Sequence, residues 1–188
     1  MLIRSGDVVL RSFDVTLSDA VYAIRNHPTV RVHLRDARPI ERGSHDRWVR
    51  ENLVEAHRLW LFLLLQRGNP VGIALIRNVR ERTGEIGVMV VEAERRPLVC
   101  YKAAHLIGYF GFEVLDLERL YSFVPRRNTR ALAFNRRCGF EPTGNASEVY
   151  HGLVLDRDHS RSHPTHRRFR SKYGIELMDE KSWRERDR

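Results

Sequence analysis

The feature that most constrains this chain is a series of apolar runs of strand length separated by turn signals. Leu59 to Leu65 is entirely apolar, Arg67-Gly68-Asn69 follows it, and Val71 to Ile76 is apolar again. Arg80 to Gly84 then precedes a third strand-like segment, Glu85 to Val91. Runs of this length bounded by glycine and asparagine are typical of strands joined by tight turns. The centre of the chain is therefore predicted to be an antiparallel meander.

Helical and strand-like segments alternate on either side of this meander. Apolar residues recur at helical spacing in residues 17–27, 44–56, 97–114 and 129–138, and further strands are expected at 8–13, 119–124, 140–143 and 148–155. The order predicts an α+β fold with a central mixed, mostly antiparallel twisted sheet of about seven strands and about four flanking helices. Residues 1–156 are expected to form one domain, followed by a basic tail of His and Arg residues, 157–188, that packs on the domain or extends from it.

Charge is the most unusual aspect of the composition. The formal net charge is +9, and lysine occurs only at three positions, so arginine supplies 30 of the 33 basic residues. An excess of this kind indicates polyanionic partners, such as nucleic acid or a phosphate-rich cofactor, or it reflects the arginine codons of a GC-rich genome. The tail arginines make a nucleic-acid binder one alternative, although no motif with stacking aromatic residues accompanies them.

The sequence also favours a protein outside the membrane and without disulfides. No apolar run approaches the roughly 18 to 20 residues that a membrane span requires, and the first ten residues read as a strand, so we expect a cytoplasmic protein without membrane association. Cys100 and Cys138 are expected to be reduced. His159, His163 and His166 lack accompanying cysteines or ordered carboxylates, so no metal site is predicted.

Three local motifs carry a family resemblance. They are the strand Glu85-Ile86-Gly87-Val88-Met89-Val90, the helix end Phe110-Gly111-Phe112-Glu113, and Asn128-Thr129-Arg130-Ala131 followed by Arg137-Cys138-Gly139-Phe140. Together with the element order, they resemble the GNAT-type N-acetyltransferases over roughly residues 7 to 156. The resemblance implies an enzyme that uses acetyl-CoA or another acyl-CoA to acylate a primary amine. It also implies that the strands at 85–91 and 119–124 diverge and admit the donor's thioester arm.

The resemblance further implies where the donor binds. Backbone groups of Val88, Met89 and Val90 would bond the arm, and Asn128 either contacts the donor or caps its helix. The phosphates would lie at a loop and helix start composed of Arg95, Arg96, Leu98, Val99, Cys100 and Tyr101. Glycines normally allow backbone amides to approach phosphates there. Only Arg95 fits the family pattern, so arginine side chains are predicted to bind the donor in place of a glycine cradle.

Catalysis requires a base, because an alkylammonium with a pKa near 10 is mostly protonated at neutral pH. Glu85 is the leading candidate and His45 is the second. The position where many relatives place a proton-donating tyrosine holds Asn135, so water would protonate the thiolate or it would leave unaided. The resemblance assigns the amide of Met89 to the carbonyl oxygen. An acyl-cysteine on Cys100 is the less favoured alternative to simple packing of that thiol.

The N-terminal third bears on the acceptor. Arg25, Asn26 and His45 resemble the pattern of flagellin amino-sugar N-acetyltransferases, and the region is also similar to ribosomal-protein N-terminal acetyltransferases. These three residues are the predicted substrate contacts. The predicted partner is a small-molecule amine, with a nucleotide-linked sugar as the first candidate; a homodimer is considered and nucleic acid is not expected. The alternatives are a protein N-terminal acetyltransferase and a GNAT-fold binding protein that has lost catalysis.

Overall fold

The computed structural model describes residues 1–34, 36–55, 59–93, 96–144 and 147–179. In these residues a single sheet contains nine strands in the order β7-β8-β6-β5-β4-β3-β2-β1-β9. The strands are β1 (Leu2–Ser5), β2 (Val8–Ser12), β3 (Leu59–Gln66), β4 (Asn69–Arg80), β5 (Thr83–Val90), β6 (Arg119–Pro125), β7 (Glu141–Pro142), β8 (Tyr150–Asp156) and β9 (Glu176–Met178). All neighbours are antiparallel except β5 and β6, which are parallel.

Seven α-helices cover the sheet in the described part of the chain. They are α1 (Ser18–Asn26), α2 (Pro28–Arg31), α3 (Arg42–Val49), α4 (Pro97–Tyr109), α5 (Thr129–Arg137), α6 (Arg157–Ser162) and α7 (Pro164–Tyr173). A 3-10 turn, Val15–Leu17, precedes α1, and π-helical segments extend α3 over Arg50–Glu55 and α4 over Phe110–Val114. None of the helices in the described ranges has the length and apolar character needed to cross a bilayer.

The predicted α+β class is confirmed, but the expected numbers of about seven strands and about four helices are too low. The two additional strands are short: β1 has four residues and β9 has three. β1 pairs with β2 through a tight turn at Gly6, and β9 pairs with β1 at Leu2 to Met178. Segments of three or four residues contain too little periodicity to be recognised before their partners are known.

The sheet separates two apolar clusters, and the side chains of β3 contribute alternately to one cluster and the other. Phe62 and Leu64 join the cluster beneath α4, whereas Leu61, Leu63 and Leu65 join the cluster beneath α1. Alternate side chains of a strand point to opposite faces, so a strand buried on both faces has no polar alternation. The uninterrupted run at the centre of the sequence is thus a buried strand, as predicted.

The tail after Asp156 folds back on the domain. It forms α6, α7 and β9, and Phe169 of α7 is fully buried. The proposed domain boundary at residue 156 falls between β8 and α6. His166 of this tail is buried, and its Nε2 donates to the carbonyl oxygen of Cys138 over 2.7 Å. The tail thereby contacts the end of α5.

Candidate active site

β5 and β6 pair at only three positions. Thr83 lies opposite Arg119, Gly84 opposite Leu120, and Glu85 opposite Tyr121. Beyond this point β5 stays paired with β4 as far as Val90, but its described residues make no further pairs with β6. The predicted divergence of these two strands is confirmed. It opens a gap whose closed end is the Glu85 and Tyr121 pair.

The direction of the backbone groups decides which residues of β5 face the gap. Val91 donates its N–H to the carbonyl oxygen of Val71 over 2.9 Å, and the β4–β5 register is unbroken from Gly72 to Arg77. Hydrogen-bonded pairs alternate in an antiparallel ladder, so Met89 directs its N–H and C=O toward β4. Val88 and Val90 direct theirs toward β6. The pairing therefore favours Val88 and Val90 over Met89 as partners for an extended ligand in the gap.

Glu85 lies at the closed end of the gap and is mostly buried. Its side chain is 16% exposed, its Oε2 accepts a hydrogen bond from Nδ2 of Asn78 over 3.0 Å, and Arg77 forms an ion pair with Oε1. Odd-numbered residues of β5, including Met89, point to the face covered by α1. Tyr121, directly opposite in the parallel pair, points to the same face. Glu85 is thus a fixed carboxylate whose cross-strand neighbour is Tyr121.

The N-terminus of α4 lies just beyond the open end of β5. Arg96 is the N-cap residue and Pro97 is the first helical residue, so the first-turn amides without an intrahelical partner belong to Leu98 and Val99. Leu98 is 48% exposed and Val99 is buried. Arg95 lies outside the described residues. Proline removes one of the amides that this helix start would otherwise present, as expected from the sequence.

Three side chains of the predicted phosphate loop have protein partners. The guanidinium of Arg96 donates to Oε1 of Gln66 over 2.8 Å. Sγ of Cys100 lies 3.8 Å from the carbonyl oxygen of Ala93. The hydroxyl of Tyr101 donates to the carbonyl oxygen of Thr165 over 2.9 Å, and burial raises the pKa of this phenol. These contacts tie the start of α4 to β3, to the preceding loop and to the tail.

α5 contributes two asparagines on one face. Oδ1 of Asn128 accepts the N–H of Ala131 over 3.0 Å, which makes Asn128 the N-cap of the helix. Nδ2 of Asn135 donates to the carbonyl oxygen of Ala131 over 2.8 Å. The capping role, one of the two predicted for Asn128, is confirmed. Asn135 is held against its own helix and offers no acidic proton.

Comparison with known proteins identifies this arrangement. A family model described as an acetyltransferase (GNAT) domain matches residues 7–141. The chain belongs to the GNAT acetyltransferases. It is therefore a CoA-dependent N-acyltransferase, in agreement with the resemblance seen in the sequence. No curated protein matches the chain at a significant level.

Solved GNAT structures share the fold at low sequence identity. Spermidine N-acetyltransferase from Vibrio cholerae, solved with CoA and spermine, is 13% identical with a TM-score of 0.73, covering 83% of this chain and 99% of that one. A probable acetyltransferase of the GNAT family from Chromobacterium violaceum is 20% identical with a TM-score of 0.70, covering 85% and 92%. The Campylobacter jejuni N-acetyltransferase PseH is 16% identical with a TM-score of 0.61, covering 80% and 99%. At these identities the likeness is one of fold.

The residues predicted to contact the acceptor of this GNAT enzyme pack between α1 and α3. His45 is fully buried; Nδ1 accepts from Arg25 over 3.4 Å and Nε2 faces the carbonyl oxygen of Ser18 at 3.2 Å. Because arginine only donates, Nε2 carries the ring proton. Burial and the charge of Arg25 lower the pKa of His45. Arg25 also lies 4.0 Å above the ring of Trp48. All these partners are internal to the protein.

The side chain of Asn26 is also occupied by partners within the protein. Its amide donates to the carbonyl oxygen of Ile40 over 3.0 Å and accepts the N–H of Ile40 over 2.8 Å. This pair of bonds attaches the segment between α2 and α3 to the end of α1. His45 and Glu85 are not joined by any contact in the described structure, and each has its own partners. Of the two predicted bases, only Glu85 lies at the gap between β5 and β6.

Sequence reasoning missed Tyr121. In β6, Leu120, Ser122 and Val124 are buried, so Tyr121 must lie on the opposite face. That alternation is visible in the sequence. What the sequence does not give is the register that places Tyr121 opposite Glu85, because the register depends on where two strands distant along the chain begin to pair.

Proposed function

We propose that this GNAT enzyme transfers an acetyl group from acetyl-CoA to a primary amine, with Glu85 as the general base. The observation that supports it is the end of the β5–β6 pairing at Glu85 and Tyr121. Val88 and Val90 direct their backbone groups into the gap that begins there and have no strand partner on that side among the described residues. The polar arm of CoA carries amide groups that can pair with a strand edge, so the residues present fit this donor.

The acceptor must lose a proton before it can attack. When bound, CoA supplies the activated acyl group, and the chain supplies a carboxylate at the closed end of the gap. Glu85 accepts the amine's proton, directly or through one water, while Arg77 and Asn78 hold the carboxylate in place. The phenol of Tyr121 lies on the same face, where it also interacts with Arg119, and it is the proposed donor of a proton to the departing sulfur. Tyr121 would thereby take the role of the proton-donating tyrosine that many relatives have at the position of Asn135.

The acceptor that we propose is a molecule with both a primary amine and negative charge, such as a nucleotide-linked amino sugar. A net charge of +9 attracts anionic substrates and repels polycations. Arg77 is half-exposed but ion-paired with Glu85, so the overall charge and not this arginine favours an anionic acceptor. Arg25, Asn26 and His45 support this choice less than their sequence pattern suggested, because their contacts are internal. A protein N-terminus remains the alternative acceptor.

The test compares Glu85→Gln with Glu81→Gln, an exposed glutamate in the turn before β5 that serves as the matched control. Acetyl transfer from acetyl-CoA is measured with a nucleotide-linked amino sugar, an N-terminal peptide and spermidine. Glu85→Gln should lower kcat by roughly 10²- to 10⁴-fold near neutral pH, with the fold intact by circular dichroism. The deficit should shrink toward pH 10, where the free amine needs no base. A Glu85→Gln enzyme with unchanged kcat, or an equal deficit at every pH, would refute the base assignment.

A further inference from the structure

The C-terminal helix α7 crosses α4 close to its start. The ring of Phe169 stacks on His105 with centroids 4.3 Å apart, and Tyr101 bonds the carbonyl oxygen of Thr165. Nζ of Lys102 lies 5.2 Å from the ring of Tyr173. α7 therefore crosses α4 over the stretch from Tyr101 to His105. The family model matches residues 7–141, so this helix lies outside the matched residues.

The position of α7 is fixed on a second side by α5. His166 donates to the carbonyl oxygen of Cys138, and the hydroxyl of Ser160 lies 3.3 Å from its other ring nitrogen. Gly139 approaches the ring of His163 so closely that a Cβ at this position would lie 3.1 Å from it. These contacts hold α7 against both α4 and the C-terminal end of α5.

The two flanks of α7 face different parts of α4. One flank, with Arg170, lines a cavity of about 280 Å³ over the C-terminal half of α4, together with Tyr109 and Glu113. The opposite flank carries Thr165, Arg168 and Lys172, which are spaced i, i+3 and i+7 and share one face. That flank must therefore look toward the N-terminal turns of α4.

Two observations indicate that Arg168 and Lys172 are free to bind an anionic ligand near those turns. Thr165, on the same flank as Arg168, accepts the hydrogen bond of Tyr101 in the second turn of α4, and the positive charge of Arg168 opposes the rise that burial causes in the pKa of this phenol. Arg168 and Lys172 are both exposed, and neither has an ion-pair partner within residues 1–179 as far as these are described. The α7 sequence contains no acidic residue. The flank is a row of uncompensated cations.

We infer that Arg168 and Lys172 bind the phosphates of the CoA donor and so compensate for the missing glycine cradle at the start of α4. The inference rests on the proposed function, which requires a phosphate-bearing donor at this helix. Pro97 has no N–H to donate, and the side chain of Leu98 adds bulk where a phosphate would approach the remaining amides. The guanidinium of Arg96 is engaged with Gln66. Charge-assisted bonds from side chains are roughly twice as strong as neutral ones, so two cations can replace several amides.

The experiment measures acetyl-CoA binding by calorimetry for the unmodified protein, Arg168→Ala and Arg167→Ala. Arg167 is the matched control because it loses the same charge from the other flank of α7. Arg168→Ala should raise the Kd roughly 5- to 30-fold and flatten its dependence on salt, whereas Arg167→Ala should change the Kd less than twofold. Equal effects of the two substitutions would overturn the inference.

A second donor separates a phosphate contact from a change in the fold. S-acetylpantetheine lacks the nucleotide and its phosphates, so Arg168→Ala should leave kcat/KM for this donor unchanged while lowering it for acetyl-CoA. An equal loss with both donors would show that Arg168 acts on the fold and would refute the inference. If the unmodified protein binds no acetyl-CoA, the proposed function itself fails. These two failures are therefore distinguishable.

Discussion

The most quantitative prediction concerns His105, a buried imidazole between α4 and α7. His105 is only 4% exposed. Its Nδ1 lies 2.8 Å from the carbonyl oxygen of Tyr101, and because a carbonyl oxygen only accepts, Nδ1 carries the ring proton. Nε2 is buried without a hydrogen-bond partner in the described structure. Burial, with the nearby charges of His166, Arg170 and His163, lowers the pKa of His105 to about 3. The folded protein therefore holds a neutral ring.

The consequence is a loss of stability in acid. In the unfolded chain the imidazole has an ordinary pKa near 6.5, so below that pH the unfolded state binds a proton that the folded state refuses. Stability is complete above pH 6.5 and falls as the pH approaches 3. Proton linkage with these two values gives a loss of about 2 kcal/mol between pH 8 and pH 5 from His105 alone. His166, whose pKa is also lowered by burial, adds to the loss.

The perturbation is His105→Phe, which keeps a ring against Phe169 and removes the titrating group. Urea unfolding at pH 8 and pH 5 measures the free energy of unfolding of both proteins. The variant's drop between the two pH values should be smaller than that of the unmodified protein by about 2 kcal/mol, whatever its absolute stability. The exposed His33, changed to Phe, is the control and should leave the drop unaltered. Identical drops in the His105→Phe and unmodified proteins would refute the argument.

Two further predictions concern packing and thiol reactivity. Gly111→Ala should destabilise the protein by about 1–3 kcal/mol, because the added Cβ would lie 2.9 Å from Cδ2 of Leu120; Gly108→Ala, with nothing within 4 Å, should be neutral or stabilising, and thermal unfolding would show the contrast or contradict it. Burial raises the pKa of Cys138 to about 12, so iodoacetamide at pH 8 should modify the half-buried Cys100 first and Cys138 only on unfolding. Equal labelling rates by mass spectrometry would contradict the second expectation.

Much of the central sheet was predictable because local patterns determine it. The run from Leu59 to Leu65, followed by turn residues, favours a strand buried on both faces, and Pro97 marks the start of a long helix. Glu85 was selected as a candidate because it begins the strand that the family resemblance assigns to the diverging pair. The tail was less predictable. Its helix α7 buries only His166 and Phe169, so its apolar face is too narrow to detect until α4 is present to cover it.

The roles of individual side chains depended on tertiary contacts that the sequence does not contain. Arg25 and His45 look like a substrate pair in sequence, yet they contact each other and Trp48 at a helix interface. Tyr101 falls within the predicted phosphate loop, but its ring turns toward α7. In each case a polar residue found a protein partner from a distant segment. Spacing along the chain cannot distinguish such a partner from a ligand.

The two edges of the sheet bear on whether the protein can associate with copies of itself through strand addition. One edge ends at β9, which has three residues, and the other at β7, which has two and includes Pro142. Strands this short offer few free backbone groups to an incoming chain, and proline lacks the N–H altogether. Truncation after Asp156 would remove β9 and expose β1, with its fully buried Leu2 and Ile3, along one side. The tail thus protects the sheet from aggregation, and a shortened form lacking it is expected to be less soluble than the full chain.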